Sequence, residues 1–374
     1  MQMIPVNEPL ILEKEVEYVN EALKTGWISS EGKFIKEFEQ KFASYVNRKY
    51  GIAVDNGTNA LILALRALDI PEGSEVIIPS FTIISCALAC IYNNLVPVFV
   101  DSEEDTWNMD ISKIEEKITD KTHAIMVVHI YGHPMDVDKV MEIAKRHDLY
   151  VIEDFAEAIG SEYKGVRCGN LGDIGCVSFY ANKVITTGEG GMCLTDNEEL
   201  DKKLRQLKNL SFIPERRFVH YNLGFNFRMT NIQAAIGLAQ TERIEENVKK
   251  KIWIGKTYNK LLRPLEEQNL IQLPVEKDWA KNTYWMYGVV LNSTLGLDAQ
   301  EAMKRLSEKG IQTRPFFYPM HMQPVFEEFP WFRKESMPVS ENISKYGFYL
   351  PSGLTLTEEQ IMKVVNCLRE VCNC

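Results

Sequence analysis

No stretch of this sequence approaches the roughly 18 consecutive apolar residues that a membrane-crossing helix needs. Its start, Met1-Gln-Met-Ile-Pro-Val-Asn, also lacks the basic segment and apolar run of a secretory leader, so a cytoplasmic protein with no membrane partner is expected. Basic clusters are scarce: 42 Lys and Arg stand against 52 Asp and Glu, for a formal charge of -10. The one basic run, Lys249-Lys-Lys251, follows Glu245-Glu246 on a helical pattern and reads as a solvated helix face. Nucleic acid is therefore not an expected partner. The eight cysteines show no paired spacing, and several (Cys86, Cys90, Cys176, Cys193) sit inside apolar runs, as buried thiols do. Cys372-Asn-Cys374 has no matching cysteine or histidine pair, so no metal is expected. Also missing is a Gly-x-Gly-x-x-Gly turn between a first strand and a helix, which a dinucleotide-dependent dehydrogenase or epimerase would carry.

What is present is ordinary globular material, 45% hydrophobic and 25% charged. The 374 residues are enough for one large domain and a smaller one, with the division expected near 250 (1–250 and 251–374). Short, near-continuously apolar runs at 75–79, 96–100, 124–128 and 150–153 read as strands buried on both faces. Helical patterns at 82–93, 110–117 and 135–146 separate them, so a mainly parallel α/β sheet is expected. Two short strands at 172–179 and 191–195 bracket a loop, and helices follow at 197–209 and, as one long element, at 231–258. The remainder alternates strands near 284–291 and 311–317 with helices near 298–308 and 358–372, as a smaller α+β domain would.

Lys183 lies in the bracketed loop, and 29 positions upstream the strand Val151-Ile-Glu-Asp154 ends in an acidic pair. A lysine that can form an imine, with a carboxylate that keeps a ring nitrogen protonated, is the minimum apparatus of pyridoxal phosphate chemistry. The loop continues as Thr186-Thr-Gly-Glu-Gly-Gly191, open to close approach by a flat ligand. Asp154 also reads as a salt-bridge or cap residue for a helix starting at Ala156. Asp55-Asn-Gly57-Thr58-Asn59 feeds a helical pattern, and its free N–H groups suit a phosphate or serve as a plain helix start. Ser178, five residues before Lys183, has a hydroxyl for the same phosphate or is simply a small strand residue.

Together these stretches resemble the DegT/StrS sugar nucleotide aminotransferases, a branch of the fold type I pyridoxal phosphate enzymes. The likeness runs from Gly26-Trp27-Ile-Ser-Ser30 through Val128-His-Ile-Tyr-Gly-His133 to Asn226-Phe-Arg228 and Gly310-Ile-Gln-Thr-Arg314-Pro-Phe316-Phe-Tyr318-Pro-Met-His321. The resemblance implies that Lys183 is the Schiff-base lysine and Asp154 the partner of the pyridine nitrogen. It assigns Gly57, Thr58, Asn59 and Ser178 to the phosphate and Glu157 to the ring oxygen, with the cofactor passing through its pyridoxamine form. Asn226 is implied to reach the phosphate of a neighbouring subunit in a homodimer. Ile83 stands where the family usually carries a ring-stacking aromatic. Trp27, Tyr284, Arg314, Phe316, Tyr318 and His321 are implied to meet the substrate, with His133 as a further polar contact. The segments 284–287 and 314–321 are most similar to the branch that aminates GDP-4-keto-6-deoxymannose with L-glutamate. UDP- and dTDP-4-keto-6-deoxyglucose remain alternative acceptors. A non-catalytic regulatory relative is the alternative of another class, which the joint presence of Lys183, Asp154 and Ser178 disfavours.

Overall fold

Strands whose successive residues are all apolar need cover on both faces, and the fold supplies two cores for them. The computed structural model describes residues 3–216 and 218–372, so Met1, Gln2, Arg217, Asn373 and Cys374 lie outside the described residues. Its main sheet has seven strands in the order Tyr50–Val54, Gly191–Thr195, Ile174–Ser178, Tyr150–Asp154, Thr122–Val128, Glu75–Pro79, Val96–Val100. Every neighbouring pair is parallel except the two made by Gly191–Thr195. Along the strand Thr122–Val128 the two-residue period is visible in the packing. Ala124, Met126 and Val128 join one core, and Ile125 and Val127 join the other. The helix Gly57–Ala67 covers the first face and Val137–His147 the second.

A four-stranded antiparallel sheet, in the order Ile271–Gln272, Tyr287–Leu291, Gly347–Leu350, Arg314–Pro315, has a third core, shared with the helices Ala299–Glu308 and Glu358–Cys372. A further three-stranded sheet joins Glu162–Tyr163 and Val166–Arg167 to Ala280–Lys281. Among the described residues no helix is long and apolar enough to cross a membrane.

Several sequence expectations need correction. The segment 110–117 forms two 3-10 turns, Ile111–Lys113 and Glu115–Lys117, because eight residues give an α-helix too few bonds to offset nucleation. The expected long helix is two, Asn231–Glu242 and Ile244–Glu267, broken at Arg243. There the guanidinium leaves the helical path to bond Glu15 at 2.6 Å, a carboxylate that Gln240 also reaches. The expected strand 311–317 is only Arg314–Pro315, and no helix starts at Ala156. The strand Tyr50–Val54 was not expected at all, although Asp55-Asn-Gly57 follows it directly.

Lys251 reverses its reading as a solvated residue. It is 1% exposed, and its Nζ donates to the carbonyls of Trp285 (2.8 Å) and Ser352 (2.6 Å). Burial, and then the charge of Lys183, lower its pKa to about 7. A lysine whose folded pKa is depressed binds fewer protons folded than unfolded between about pH 7 and its ordinary value, so its contribution to stability rises with pH across that window. Lys251→Met removes that gain. The variant's stability relative to the parent should therefore fall with rising pH, by on the order of 1 kcal/mol per unit, in urea unfolding at pH 7 to 10.

Candidate active site

The parallel strands deliver their carboxyl ends to one edge of the sheet, the edge at which α/β folds bind ligands. Asp154 ends one strand, Ser178 ends the next, and Gly57 opens the helix that follows Tyr50–Val54. These three share a cavity of about 650 Å³ with Thr58, Asn59, Ile83, Glu157 and Lys183.

Asn56 starts the helix by accepting the N–H of Asn59 on Oδ1 at 2.8 Å, and the Asn59 side chain donates to Asp55. With the Asn59 N–H taken by Asn56, the N–H groups of Gly57 and Thr58 have no partner among the described residues, as the first turn of a helix leaves them. A Cβ on Gly57 would lie 2.6 Å from the Cβ of Ser178, so only glycine lets the helix end approach that serine. Thr58 and Ser85 share a hydroxyl hydrogen bond of 2.8 Å.

Asp154 is buried. Its Oδ1 accepts the N–H of Ala156 at 3.0 Å, while Oδ2 meets, among the described residues, only the thiol of Cys86, at 3.7 Å. Burial holds its carboxyl above the usual range, against the opposing effects of Ala156 and the charge of Lys183. The adjacent Glu153 is spent internally: it accepts from His129 Nε2 (3.0 Å) and from the N–H groups of Gly169 and Leu171. His129 Nδ1 takes the N–H of Met135, so the His129, Glu153, Cys168 cluster has its histidine and carboxylate already engaged.

Glu157 accepts the N–H of Tyr131 at 2.8 Å, and burial raises its pKa to about 7 although Lys183 pulls the other way. Burial likewise lowers Lys183, against Glu157 and Asp154, which favour its charged form. The Lys183 amine lies 3.6 Å from the ring centroid of Trp285.

Eight expected residues stand elsewhere. Phe316 is core, packed on Tyr131, Trp107 and Phe81, and Tyr284 is buried with its hydroxyl donating to Glu276. His321 is buried between Ser80 (2.7 Å) and Glu341 (3.2 Å). His133 donates to the Pro134 carbonyl and accepts the N–H of Lys277, and burial lowers its pKa to about 4. Tyr318 and Arg314 are exposed outside the cavity, although Arg314 pairs across the sheet with Tyr349, which lines it. Trp27 is exposed beside a separate cavity with Lys33 and Asn231. Asn226 is exposed on the flank of Tyr50–Val54, where Arg228 donates to its Oδ1 at 2.8 Å. The sequence reading missed Trp285, Phe317 and Tyr349, which form one wall of the cavity. Each lies next to, or pairs with, an expected residue, so the aromatic runs themselves were the available signal.

The chain matches the family model described as DegT/DnrJ/EryC1/StrS aminotransferase over residues 9–369. The chain belongs to that aminotransferase family. It is 43% identical to the GDP-perosamine synthase of Escherichia coli O157:H7 over 99% of both chains. To the enzyme of that name from Caulobacter vibrioides it is 42% identical over 98% of both. The solved structure of NtdA from Bacillus subtilis, with its cofactor PMP bound, superposes with a TM-score of 0.87 at 29% identity, covering 97% of this chain and 83% of that one.

DegT/DnrJ/EryC1/StrS aminotransferases work with pyridoxal 5′-phosphate. The donor set of the cavity fits that group. Asp154 Oδ2 is a buried acceptor without a strong donor, matching a ring N–H. The glycine cradle at Gly57 and Ser178 has the N–H and hydroxyl groups a phosphate takes, and the Lys183 amine forms no ion pair among the described residues. Gly57→Ala should push the helix end off Ser178 and raise the dissociation constant for pyridoxal 5′-phosphate about tenfold or more, read by absorbance titration, with the circular dichroism spectrum unchanged.

Proposed function

We propose that the chain moves the amino group of L-glutamate to the 4-keto carbon of GDP-4-keto-6-deoxymannose, giving GDP-perosamine. The observation that carries this reading is the opening of Lys183 and Asp154 into the same cavity as Gly57 and Ser178. The sugar nucleotide is assigned from the two GDP-perosamine synthases that the chain resembles over nearly its whole length.

When bound, the cofactor supplies an electron sink for the substrate carbon that bears nitrogen. Asp154 would then hold a proton at the ring nitrogen, and Glu157 would serve the ring oxygen. Gly57, Thr58, Asn59 and Ser178 hold the phosphate through N–H and hydroxyl groups. Lys183 acts at Nζ as the base that accepts the proton from the nitrogen-bearing carbon, and its lowered pKa leaves more of the amine free for that work. Ile83, 42% exposed at the cavity, would cover the ring face by aliphatic contact. Arg314, beside Tyr349, is assigned to a carboxylate or diphosphate of the substrate.

Residues 1–250 hold the cofactor in this scheme, and 251–374 close over it. The enzyme works in the cytoplasm as a homodimer, with Asn226 serving the partner's phosphate. Phe218, Tyr221 and Leu223, exposed at 80%, 67% and 94%, give the adjoining loop an apolar surface that suits a second copy.

Lys183→Ala should abolish turnover. Asp154→Asn should cost about 10³-fold or more in kcat while cofactor binding persists, because the proton at the ring nitrogen is no longer held. Turnover by Asp154→Asn within tenfold of the parent's would remove the assigned role. The pyridoxamine form assayed in single turnover against GDP-, UDP- and dTDP-linked 4-keto-6-deoxy sugars should react fastest with the GDP sugar. Glu157→Gln should delete an inflection near pH 7 from the dependence of kcat on pH.

A further inference from the structure

The scheme above leaves one buried ionisable side chain unused. Lys251 has no ion-pair partner among the described residues, and it spends its amine on two backbone carbonyls, one of them Trp285. Trp285 is thereby held at both ends, because its indole N–H donates to the carbonyl of Asn182 at 2.8 Å. Asn182 directly precedes Lys183, and its carbonyl is fixed a second time by the side chain of Asn7 at 2.9 Å. The indole and the lysine are therefore tied to the same short piece of backbone. Three carboxylates, Asp154, Glu157 and Glu189, line the cavity, yet the Lys183 amine lies over the indole face and in a salt bridge with none of them.

We propose that Trp285 is a positioning residue for Lys183, whose amine rests on the indole face whenever it is not covalently engaged, and that Lys251 keeps that face in place. The inference rests on the reading of Lys183 as the reacting amine. A long, flexible side chain released into a cavity of about 650 Å³ would otherwise sample many rotamers or fall against a carboxylate. A carboxylate would bind the amine tightly as its ammonium and would occupy the acceptor that Asp154 keeps for the ring. The indole quadrupole attracts the same ammonium more weakly, so it holds the amine near its working position without locking the proton on it. Of the influences on Lys183, burial opposes its charged form, whereas Glu157 and Asp154 favour it. Trp285 adds a favourable contact that involves no ionisable group.

The test uses cofactor-free protein with acetic anhydride as a trace acylating reagent across pH, the Lys183 peptide being quantified by mass spectrometry. Trp285→Leu removes the attraction for the ammonium, so the midpoint for Lys183 acylation should fall by about half a unit to one unit. Trp285→Phe, which keeps a weaker ring face and loses the Asn182 anchor, should shift it less in the same direction. If the leucine variant does not fold, the phenylalanine variant decides alone. An unmoved midpoint in a folded variant overturns the inference, since a tryptophan that only fills space would lower Tm and leave the midpoint alone. In protein carrying 5-fluorotryptophan, Lys251→Met should move or broaden the fluorine resonance that Trp285→Phe deletes; an unmoved resonance removes Lys251 from the arrangement. Borohydride reduction of the holoenzyme separates this inference from its parent. Cofactor fixed on another lysine defeats the reading of Lys183 itself, whereas cofactor fixed on Lys183 with an unmoved midpoint defeats only the role of Trp285.

Discussion

Asp154 stands buried at the carboxyl end of its strand, where an ionised carboxylate without a partner costs several kcal/mol. One of its oxygens is answered by a backbone N–H, and the other by a thiol too distant to satisfy it. That unanswered oxygen sets the terms for the rest of the cavity. It requires a donor from a ligand, it adds to the field on Lys183, and it raises the pKa of Glu157. Glu153, one residue earlier, points the other way and is fully engaged by His129 and two N–H groups. Two adjacent acids thus take opposite parts because strand side chains alternate.

The parallel sheet brings the cofactor-facing groups to one edge, but it does not enclose them. Enclosure comes from Trp285, Phe317 and Tyr349, more than a hundred residues further along the chain from Asp154. The helix Ile244–Glu267 links the two regions: Ile244 and Val248 pack in the first core, and Ile254, Tyr258, Leu262 and Leu265 in the antiparallel sheet's core. Lys251 lies between those two sets and bonds carbonyls of the later region. A buried polar joint of this kind is specific in geometry because each of its bonds must be made.

Much of the large sheet was legible in the sequence, since strands buried on both faces leave unbroken apolar runs. The strand Tyr50–Val54 left a weaker mark and escaped. Among the aromatic segments the reading went wrong by one position at a time. Phe316 and Tyr318 were expected where Phe317 lines the cavity, and Tyr284 where Trp285 does. Beside the strand Arg314–Pro315 a shift of one residue exchanges core for cavity, whereas Tyr284 has a positive φ of 51° and Trp285 sits in a bend, and two adjacent aromatics give no local sign of which faces which way.

By itself the sequence determined the class of chemistry, because Lys183, Asp154 and the helix start at Gly57 stand in stretches that together resemble one family of pyridoxal phosphate enzymes. It also determined the mainly parallel sheet, through local patterns that each strand carries alone. Tertiary structure decided which aromatics face the cavity, why Lys251 is buried within a run that looks solvated, and what lies beneath Lys183. Those outcomes depend on contacts between residues a hundred or more positions apart, which packing brings together and no local pattern encodes.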